Sequence, residues 1–201
     1  CLAWARAEGF ACHTLAVDYG QRHRVELAAA HRVSTALGAI DHREVSVDLR
    51  AIGGSALTAA IDVPKERSEA EIGQGIPITY VPARNTVFLA FALGLAEAVE
   101  QDRIYAGMNA VDYSGYPDCR PAFLAAFQEL ANLATRRGVE GRPIVLHTPL
   151  LRMSKAEIVR TGIDLGVDFS ATVSCYQATS LGEACGSCAA CQLRRAGFAA
   201  A

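Results

Sequence analysis

The chain has few charged residues and no excess of basic ones. Charged side chains make up 20% of its 201 residues, and 19 Lys and Arg stand against 21 Asp and Glu, a formal net charge of −2 at pH 7. Affinity for nucleic-acid phosphates requires a face rich in Lys and Arg, so this balance argues against a nucleic-acid partner. The hydrophobic fraction of 51% excludes wholesale disorder and suits one ordinary domain with a sizeable core.

Long apolar runs and targeting signals are missing too. No stretch of about eighteen uninterrupted apolar residues is present, so the sequence supports no membrane span. Residues 1–11 lack the order of charged, apolar and small residues that marks a signal peptide. We therefore expect a cytoplasmic protein with no membrane partner.

Strand and helix patterns alternate along the chain. Strands are predicted over residues 11–18, 44–49, 103–108 and 144–150, and helices over 22–37, 85–99, from Pro121 onward and after the capping box that begins at Ser154. Residues 53–75 look like an exposed loop. This order predicts a single α/β domain with a parallel sheet and helices on both faces. Segments 18–23, 109–118 and 151–155 follow strands, and we expect them to line one rim of the sheet, where ligands bind in such folds.

Four of the seven cysteines lie close together near the C-terminal end. Cys185, Cys188 and Cys191 are spaced as CxxCxxC in a Gly-containing knuckle, and Cys175 precedes them. Four thiolates with no open position are typical of a structural zinc site. An iron–sulfur cluster is the weaker alternative because the fourth nearby Cys and the Pro of the bacterial ferredoxin run are missing. Disulfides would need an oxidising compartment.

The loop at residues 112–118 has the side chains of a recognition site for a planar base. Tyr113 and Tyr116 could stack on a heterocycle, and Asp112 or Asp118 could accept paired hydrogen bonds from a guanine-like edge. An ordinary surface turn is the alternative interpretation.

Two cations stand near predicted helix starts. Lys155 follows the capping residue Ser154, where backbone amides and the positive end of the helix dipole favour an anion such as phosphate. Arg84 and Asn85 precede another helix and could serve similarly or cap it. The common alternative for Lys155 is a solvated first-turn side chain.

Taken together, these segments resemble the 7-cyano-7-deazaguanine synthase family. The resemblance runs from Cys1 to about Phe198 and rests on DYGQRH at 18–23, YVPARN at 80–85, GMNAVDYSGYPDCRP at 107–121, TPL at 148–150 with KAEIV at 155–159, and SCY at 174–176 followed by CGSCAACQLRRAGF at 185–198.

The resemblance implies an adenine-nucleotide α-hydrolase-like fold and a specific ligase reaction. ATP, with Mg²⁺, adenylates the carboxylate of 7-carboxy-7-deazaguanine, ammonia displaces AMP to form an amide, and a second activation allows dehydration to the nitrile that feeds queuosine biosynthesis. A homodimer is also implied. The implied residues are the zinc ligands Cys175, Cys185, Cys188 and Cys191, the base-binding Asp112, Tyr113, Tyr116 and Asp118, the catalytic Lys155 and Arg84, and the ATP-binding Asp18, Tyr19 and Gly107.

One departure from the family pattern is large. Family members begin with a strand and a Ser-Gly-Gly-x-Asp-Ser phosphate loop, whereas this chain begins at Cys1, with residues 1–7 resembling the helix that would follow. We therefore expect an N-terminally truncated sheet that lacks its first, central strand and a chain that binds ATP poorly. Two other functions stay open: a catalytically inactive, zinc-stabilised remnant or binding protein, and a related adenylating enzyme that acts on tRNA.

Overall fold

The computed structural model describes residues 1–22, 24–72, 75–109 and 115–201. Its contacts form two compact units, which are unit 1 (Cys1 and Ala83–Met153) and unit 2 (Leu2–Pro82 and Ser154–Ala201). The helices and strands are α1 (Leu2–Ala7), β1 (His13–Asp18), α2 (Val25–Ala36), β2 (Asp41–Ser46), α3 (Glu69–Ile72), α4 (Arg84–Ala98), β3 (Arg103–Tyr105), α5 (Pro121–Leu133), α6 (Arg136–Val139), β4 (Val145–His147), α7 (Lys155–Asp164) and α8 (Ala189–Ala199). The predicted α/β class with parallel strands is confirmed, while the single domain, the missing strand and the common rim stay predictions.

Unit 2 contains the parallel pair β1–β2, joined through α2. The two strands pair from His13 opposite Asp41 to Asp18 opposite Ser46, and a parallel pair needs such a crossover. Thr14 Oγ1 on β1 lies 2.6 Å from Ser34 Oγ on α2, so a polar contact fixes the helix on the strands. The predicted start of β2 at residue 44 is wrong, because the polar residues from Asp41 onward lie on a largely exposed strand that apolar alternation does not detect.

Unit 1 contains the second parallel pair, β3–β4, which carries Tyr105 opposite His147. The apolar faces of α4 and α5 pack on it in a core of Leu89, Leu93, Ala96, Ile104, Leu124, Phe127, Ala131 and Ile144. Burial of each large apolar side chain contributes roughly 1.5–3 kcal/mol. Gln128 of α5 also donates to the Ile144 carbonyl and accepts from the Leu146 amide, which attaches this helix to β4.

Helix α4 has one exposed stripe on an otherwise buried or half-buried surface. Its buried residues are Asn85, Leu89, Leu93 and Ala96, while Thr86, Ala90, Gly94 and Ala98 form an exposed stripe. The other residues of α4 are buried or half-buried, and small side chains, which gain little from leaving water, line the exposed stripe.

The segment predicted as an exposed loop is partly buried. Ser55 and Ala56 have no exposed surface, and Leu57 and Val63 are 6% and 4% exposed. The expectation of full exposure is wrong here because the apolar residues between the glycine pair and Pro64 pack inward. Among the described residues, no helix combines the length and apolar character that a membrane crossing requires.

Candidate metal centre and substrate-binding residues

The structure brings together the four cysteines that the spacing predicts as metal ligands. The Sγ atoms of Cys175, Cys185, Cys188 and Cys191 all lie within 4.8 Å of one another, and those of Cys188 and Cys191 are 3.5 Å apart. A tetrahedron with metal–sulfur bonds of about 2.3 Å has edges of about 3.8 Å. The number, type and spacing of the donors therefore fit one tetrahedral metal ion of the zinc type.

Local backbone geometry places these thiols. Cys188 is the N-cap residue of α8, and Cys191 lies in the first turn of that helix. Gly186 has a positive φ of 77°, a conformation that glycine adopts without steric cost, and it turns the chain between Cys185 and Cys188. Three ligands thus come from one turn and one helix start.

Backbone amides point at the cysteine sulfurs. The Cys175 Sγ accepts hydrogen bonds from the amides of Gln177 and Cys185, each at 3.2 Å, and the Cys185 Sγ accepts one from the Cys188 amide at 3.4 Å. Donors around a ligand orient it and favour its charged form. The cluster therefore has the supporting hydrogen bonds that a thiolate metal site needs.

The thiols differ in acidity. Burial opposes ionisation of Cys185, but the backbone amides of Ser187 and Cys188 outweigh it and lower the pKa of Cys185 to about 6. Burial, together with the hydrogen bond to Cys188, raises the pKa of Cys191 to about 12. Burial also raises the pKa of Cys175. A bound cation would offset the repulsion of four neighbouring thiolates, which is a further reason why the donor set suits a metal.

Lys155 is the first residue of α7, as the capping box predicts. The Ser154 side chain accepts from the Glu157 amide at 3.3 Å, and the Glu157 carboxylate accepts from the Ser154 amide at 2.7 Å. Lys155 itself is half-buried. The helix start therefore combines a fixed backbone, first-turn amides and an ammonium group, a combination that suits an anion.

Asn85 and Asp118 form a buried contact that ties the end of the predicted recognition loop to α4. The Asn85 backbone amide donates to Asp118 Oδ2 at 2.9 Å, and its side-chain amide donates to the Asp118 carbonyl at 3.2 Å. Both residues are under 10% exposed. Ala83 at the N-cap offers no side-chain cap, so Asp118 satisfies an amide at the start of this helix from elsewhere in the chain.

Arg84 lies at the first position of α4. Its guanidinium carbon is 5.5 Å from the centre of the Phe88 ring, and its Nη2 donates to the Asn85 Oδ1 at 3.5 Å. Arg84, Tyr116, Asp118 and Gly107 belong to unit 1, whereas Asp18, Tyr19, Lys155 and the four clustered cysteines belong to unit 2. The predicted base-binding residues Asp112 and Tyr113 lie outside the described residues.

The predicted ATP-binding residues lie at the end of β1 and just after β1 and β3. Asp18 pairs with Arg24 at 2.8 Å and accepts from the Gly20 amide at 3.2 Å, while Tyr19 is only 6% exposed. Gly107 is exposed. Tyr116 precedes the short 3₁₀ turn Pro117–Cys119 and is half-buried.

Sequence reasoning missed Asn109 as a structural residue. Its side-chain amide donates to the carbonyls of Leu150 and Met153, which joins the residues that follow β3 to the segment that follows β4. Its position between a predicted strand and a turn-rich loop could have indicated a structural role. The sequence alone, however, does not show which carbonyl groups an amide side chain in a loop will contact.

Comparison with known proteins decides the family. The family model described as queuosine biosynthesis protein QueC matches residues 1–201. The chain belongs to the QueC family. A QueC-family relative from Anaeromyxobacter dehalogenans (strain 2CP-C), named 7-cyano-7-deazaguanine synthase, is 62% identical over 202 residues, which cover 100% of this chain and 86% of that protein. A relative of the same name from Alcanivorax borkumensis is 59% identical over 199 residues, which cover 98% of this chain and 87% of that protein.

The predicted resemblance is therefore confirmed. The four-cysteine cluster of this QueC-family chain is compatible with a structural metal ion. The roles given to individual loop and helix-start residues stay predictions.

Proposed function

We propose that this protein is a 7-cyano-7-deazaguanine synthase. The observation that carries the proposal is the match of 98–100% of the chain, at 59–62% identity, to relatives that bear this name. The reaction converts 7-carboxy-7-deazaguanine and ammonia to 7-cyano-7-deazaguanine at the expense of ATP. In the first half, the substrate carboxylate attacks ATP and releases pyrophosphate, and ammonia then displaces AMP to leave an amide. In the second half, the amide oxygen is adenylated with release of another pyrophosphate, and loss of AMP and a proton gives the nitrile.

Both halves place negative charge on transferred phosphate, so the enzyme needs fixed cations. We assign Lys155 and Arg84 to phosphate or acyl-adenylate contacts. The support for Lys155 is its place at a capped helix start, where amides and the helix dipole add to its charge. The support for Arg84 is its place at the first position of α4. Asp18, Tyr19 and Gly107 are assigned to ATP, which is bound with Mg²⁺.

The loop at residues 112–118 is assigned to the deazaguanine. Asp112, Tyr113, Tyr116 and Asp118 supply carboxylates for a donor edge and rings for stacking. The contact between Asp118 and the start of α4 supports this assignment indirectly, because a loop that recognises a rigid base needs a fixed attachment.

We assign a structural zinc ion to Cys175, Cys185, Cys188 and Cys191. A four-thiolate ion leaves no coordination position for substrate and supplies fold stability. These residues therefore order the segment around the start of α8. Neither the substrate nor the ATP phosphates would coordinate the metal.

The proposal is tested with the complete gene product, ATP, Mg²⁺, ammonia and 7-carboxy-7-deazaguanine. We expect the nitrile, detected by mass spectrometry, and two AMP per nitrile. Lys155→Ala should lower kcat by about 10²-fold, the usual cost of one removed charge-stabilising group, whereas the exposed control Arg32→Ala should leave it unchanged. Absence of the nitrile, or adenylation of tRNA instead, would contradict the proposal.

Metal analysis should find one zinc per chain, and iron with a visible charge-transfer band would contradict the metal assignment.

The resemblance also predicts a cytoplasmic homodimer. Sedimentation of the purified protein checks the assembly, and a monomer at micromolar concentration would contradict it.

A further inference from the structure

Helix α8 passes very close to the first residue of α7 at Gly197. A Cβ atom at Gly197 would lie 2.7 Å from the Cβ of Lys155 and 3.5 Å from its carbonyl carbon. Ordinary carbon–carbon contacts are about 3.5–4.0 Å. Any side chain at residue 197 would therefore push against the Cβ of Lys155, at the root of its side chain.

The metal-binding segment determines where α8 lies. The helix begins at the ligand Cys188, contains the ligand Cys191, and reaches the buried Gly197 roughly two turns later. Arg195 donates to the Gly186 carbonyl at 2.9 Å, and Arg194 donates to the Phe169 carbonyl at 2.8 Å. The helix is thus held at its start by the cysteines and along its length by two arginines.

We propose that Gly197 is a positioning residue for Lys155, through which the metal-bound helix α8 sets the place of the Lys155 ammonium. The catalytic consequence rests on the proposed function, since Lys155 is there assigned to phosphate. Because residue 197 has no side chain, the backbone of α8 can lie in direct contact with the Cβ of Lys155 at the start of α7. The metal therefore acts on the reaction from outside the substrate site, by fixing the helix against which α7 starts.

The size of the effect follows from the distances. An alanine Cβ at 2.7 Å from Lys155 Cβ must move away by about 1 Å to reach a normal contact. A misplacement of about 1 Å can cost about 10²-fold in rate. The backbone displacement acts at the first helical residue, where Lys155 and the anion-binding amides lie together.

The first test compares Gly197→Ala with Gly94→Ala. Gly94 is also helical, and among the described atoms nothing lies within 4 Å of a Cβ built there, so its replacement should keep activity and keep or raise Tm. Gly197→Ala should keep one zinc per chain, lower Tm by several degrees, and lower kcat by about 10- to 100-fold with KM for the deazaguanine nearly unchanged. Unchanged kcat, or loss of kcat together with loss of zinc, would overturn the proposal.

A double variant separates positioning from general damage. Lys155→Gly removes the Cβ that an alanine at residue 197 would strike, so adding Gly197→Ala to it should cause no further loss of kcat and little further loss of Tm. Equal losses in both backgrounds would overturn the proposal. Should Gly197→Ala fail to fold alone, folding of the double variant would support it, and failure of both would contradict it. A wild-type protein that makes no nitrile would contradict the proposed function. The Tm values of the single and double variants would still show whether residue 197 packs against Lys155.

Discussion

Among single residues, Asp118 joins two distant parts of the chain. Its carboxylate accepts the Asn85 amide at 2.9 Å, and the Asn85 side chain also lies 3.1 Å from Cys119 Sγ. This arrangement holds the end of the predicted recognition loop on the first turn of α4. A carboxylate that caps a helix from a distant loop links the stability of that helix to the shape of the loop.

Asp118→Ala should therefore affect both stability and base binding. Loss of the acceptor for a helix-start amide costs about 1 kcal/mol, and release of the loop should raise KM for 7-carboxy-7-deazaguanine about tenfold with a smaller change for ATP. Denaturant unfolding and steady-state kinetics measure the two effects. Asp118→Asn is the matched variant, because its carboxamide oxygen keeps an acceptor and most of the stability while removing the charge that would face a donor edge. Equal increases in both KM values would contradict the assignment to the base.

The sequence predicts residue pairs when their partners are near in the chain. The spacing of Cys185, Cys188 and Cys191 is local, and a common ligand chemistry identifies the set. The contact between Asn85 and Asp118 spans 33 residues, and the approach of Gly197 to Lys155 joins two helices. Neither contact has a local signature, since a glycine inside a helical pattern indicates only a weaker helix.

At the scale of elements, α7 depends on its capping box. The Ser154 hydroxyl and the Glu157 carboxylate satisfy each other's amides, and the resulting helix start holds Lys155. Ser154→Ala should lower the free energy of unfolding by about 1 kcal/mol, measured by urea unfolding. Ser180→Ala at an exposed turn is the control, and an equal loss there would contradict the role of the cap.

The same capping box predicts how the stability of the fold changes with pH. Hydrogen bonds from the Ser154 amide and hydroxyl hold the pKa of Glu157 below its usual value. A carboxyl group with a depressed folded-state pKa stabilises the fold above its unfolded pKa, and this contribution is lost as the pH falls through the folded value. The Tm difference between wild type and Glu157→Gln should therefore shrink from neutral pH toward about pH 3. A difference that grows on acidification would contradict it.

The segment around Lys65 is held by the turn that carries the candidate metal ligands Cys185 and Cys188. Lys65 forms a β-bridge with Cys188, the Glu66 amide donates to the Ser187 carbonyl at 2.9 Å, and Gln192 donates to the Arg67 carbonyl at 3.0 Å. Chelation of the metal should release this segment. Trypsin should then cut after Lys65 and Arg67 at least about tenfold faster, as followed by mass spectrometry.

Internal controls make this digestion decisive. Cleavage after Arg32, within α2, should change little, and added zinc should restore protection at Lys65. Equal cleavage rates with and without metal would show that the turn does not hold the segment.

Element types were predictable, whereas element ends and burial were less so. The apolar run over residues 11–18 and the helix after Ser154 depend on local patterns, and both elements form. Strand β2 starts at Asp41 and α4 exposes Ala90 and Gly94 because pairing with β1 and packing on one side override local hydrophobicity. Tertiary contacts decide such details, and one sequence does not contain their geometry.

At the scale of the whole molecule, composition argues against a nucleic-acid partner but does not predict how the chain divides into units. The division into unit 1 and unit 2 passes between residues 82 and 83 and again between 153 and 154, where the chain has no composition shift. The candidate phosphate-binding cations Arg84 and Lys155 stand directly after these two points. Both are first residues of helices, Arg84 in unit 1 and Lys155 in unit 2.

The charge of the whole chain separates a free base from tRNA as the substrate. A net charge of −2 gives no general attraction to a polyanion, whose binding proteins neutralise several phosphates and lose affinity steeply with salt. We expect turnover of free 7-carboxy-7-deazaguanine to be unaffected by added tRNA, and any tRNA binding at physiological salt to be weaker than about 1 μM. Filter binding across a salt series, with kinetics at the same salts, measures both. Saturable submicromolar binding with a steep salt dependence, or competition by tRNA, would show that a basic surface exists despite the acidic balance and would favour the tRNA-acting alternative.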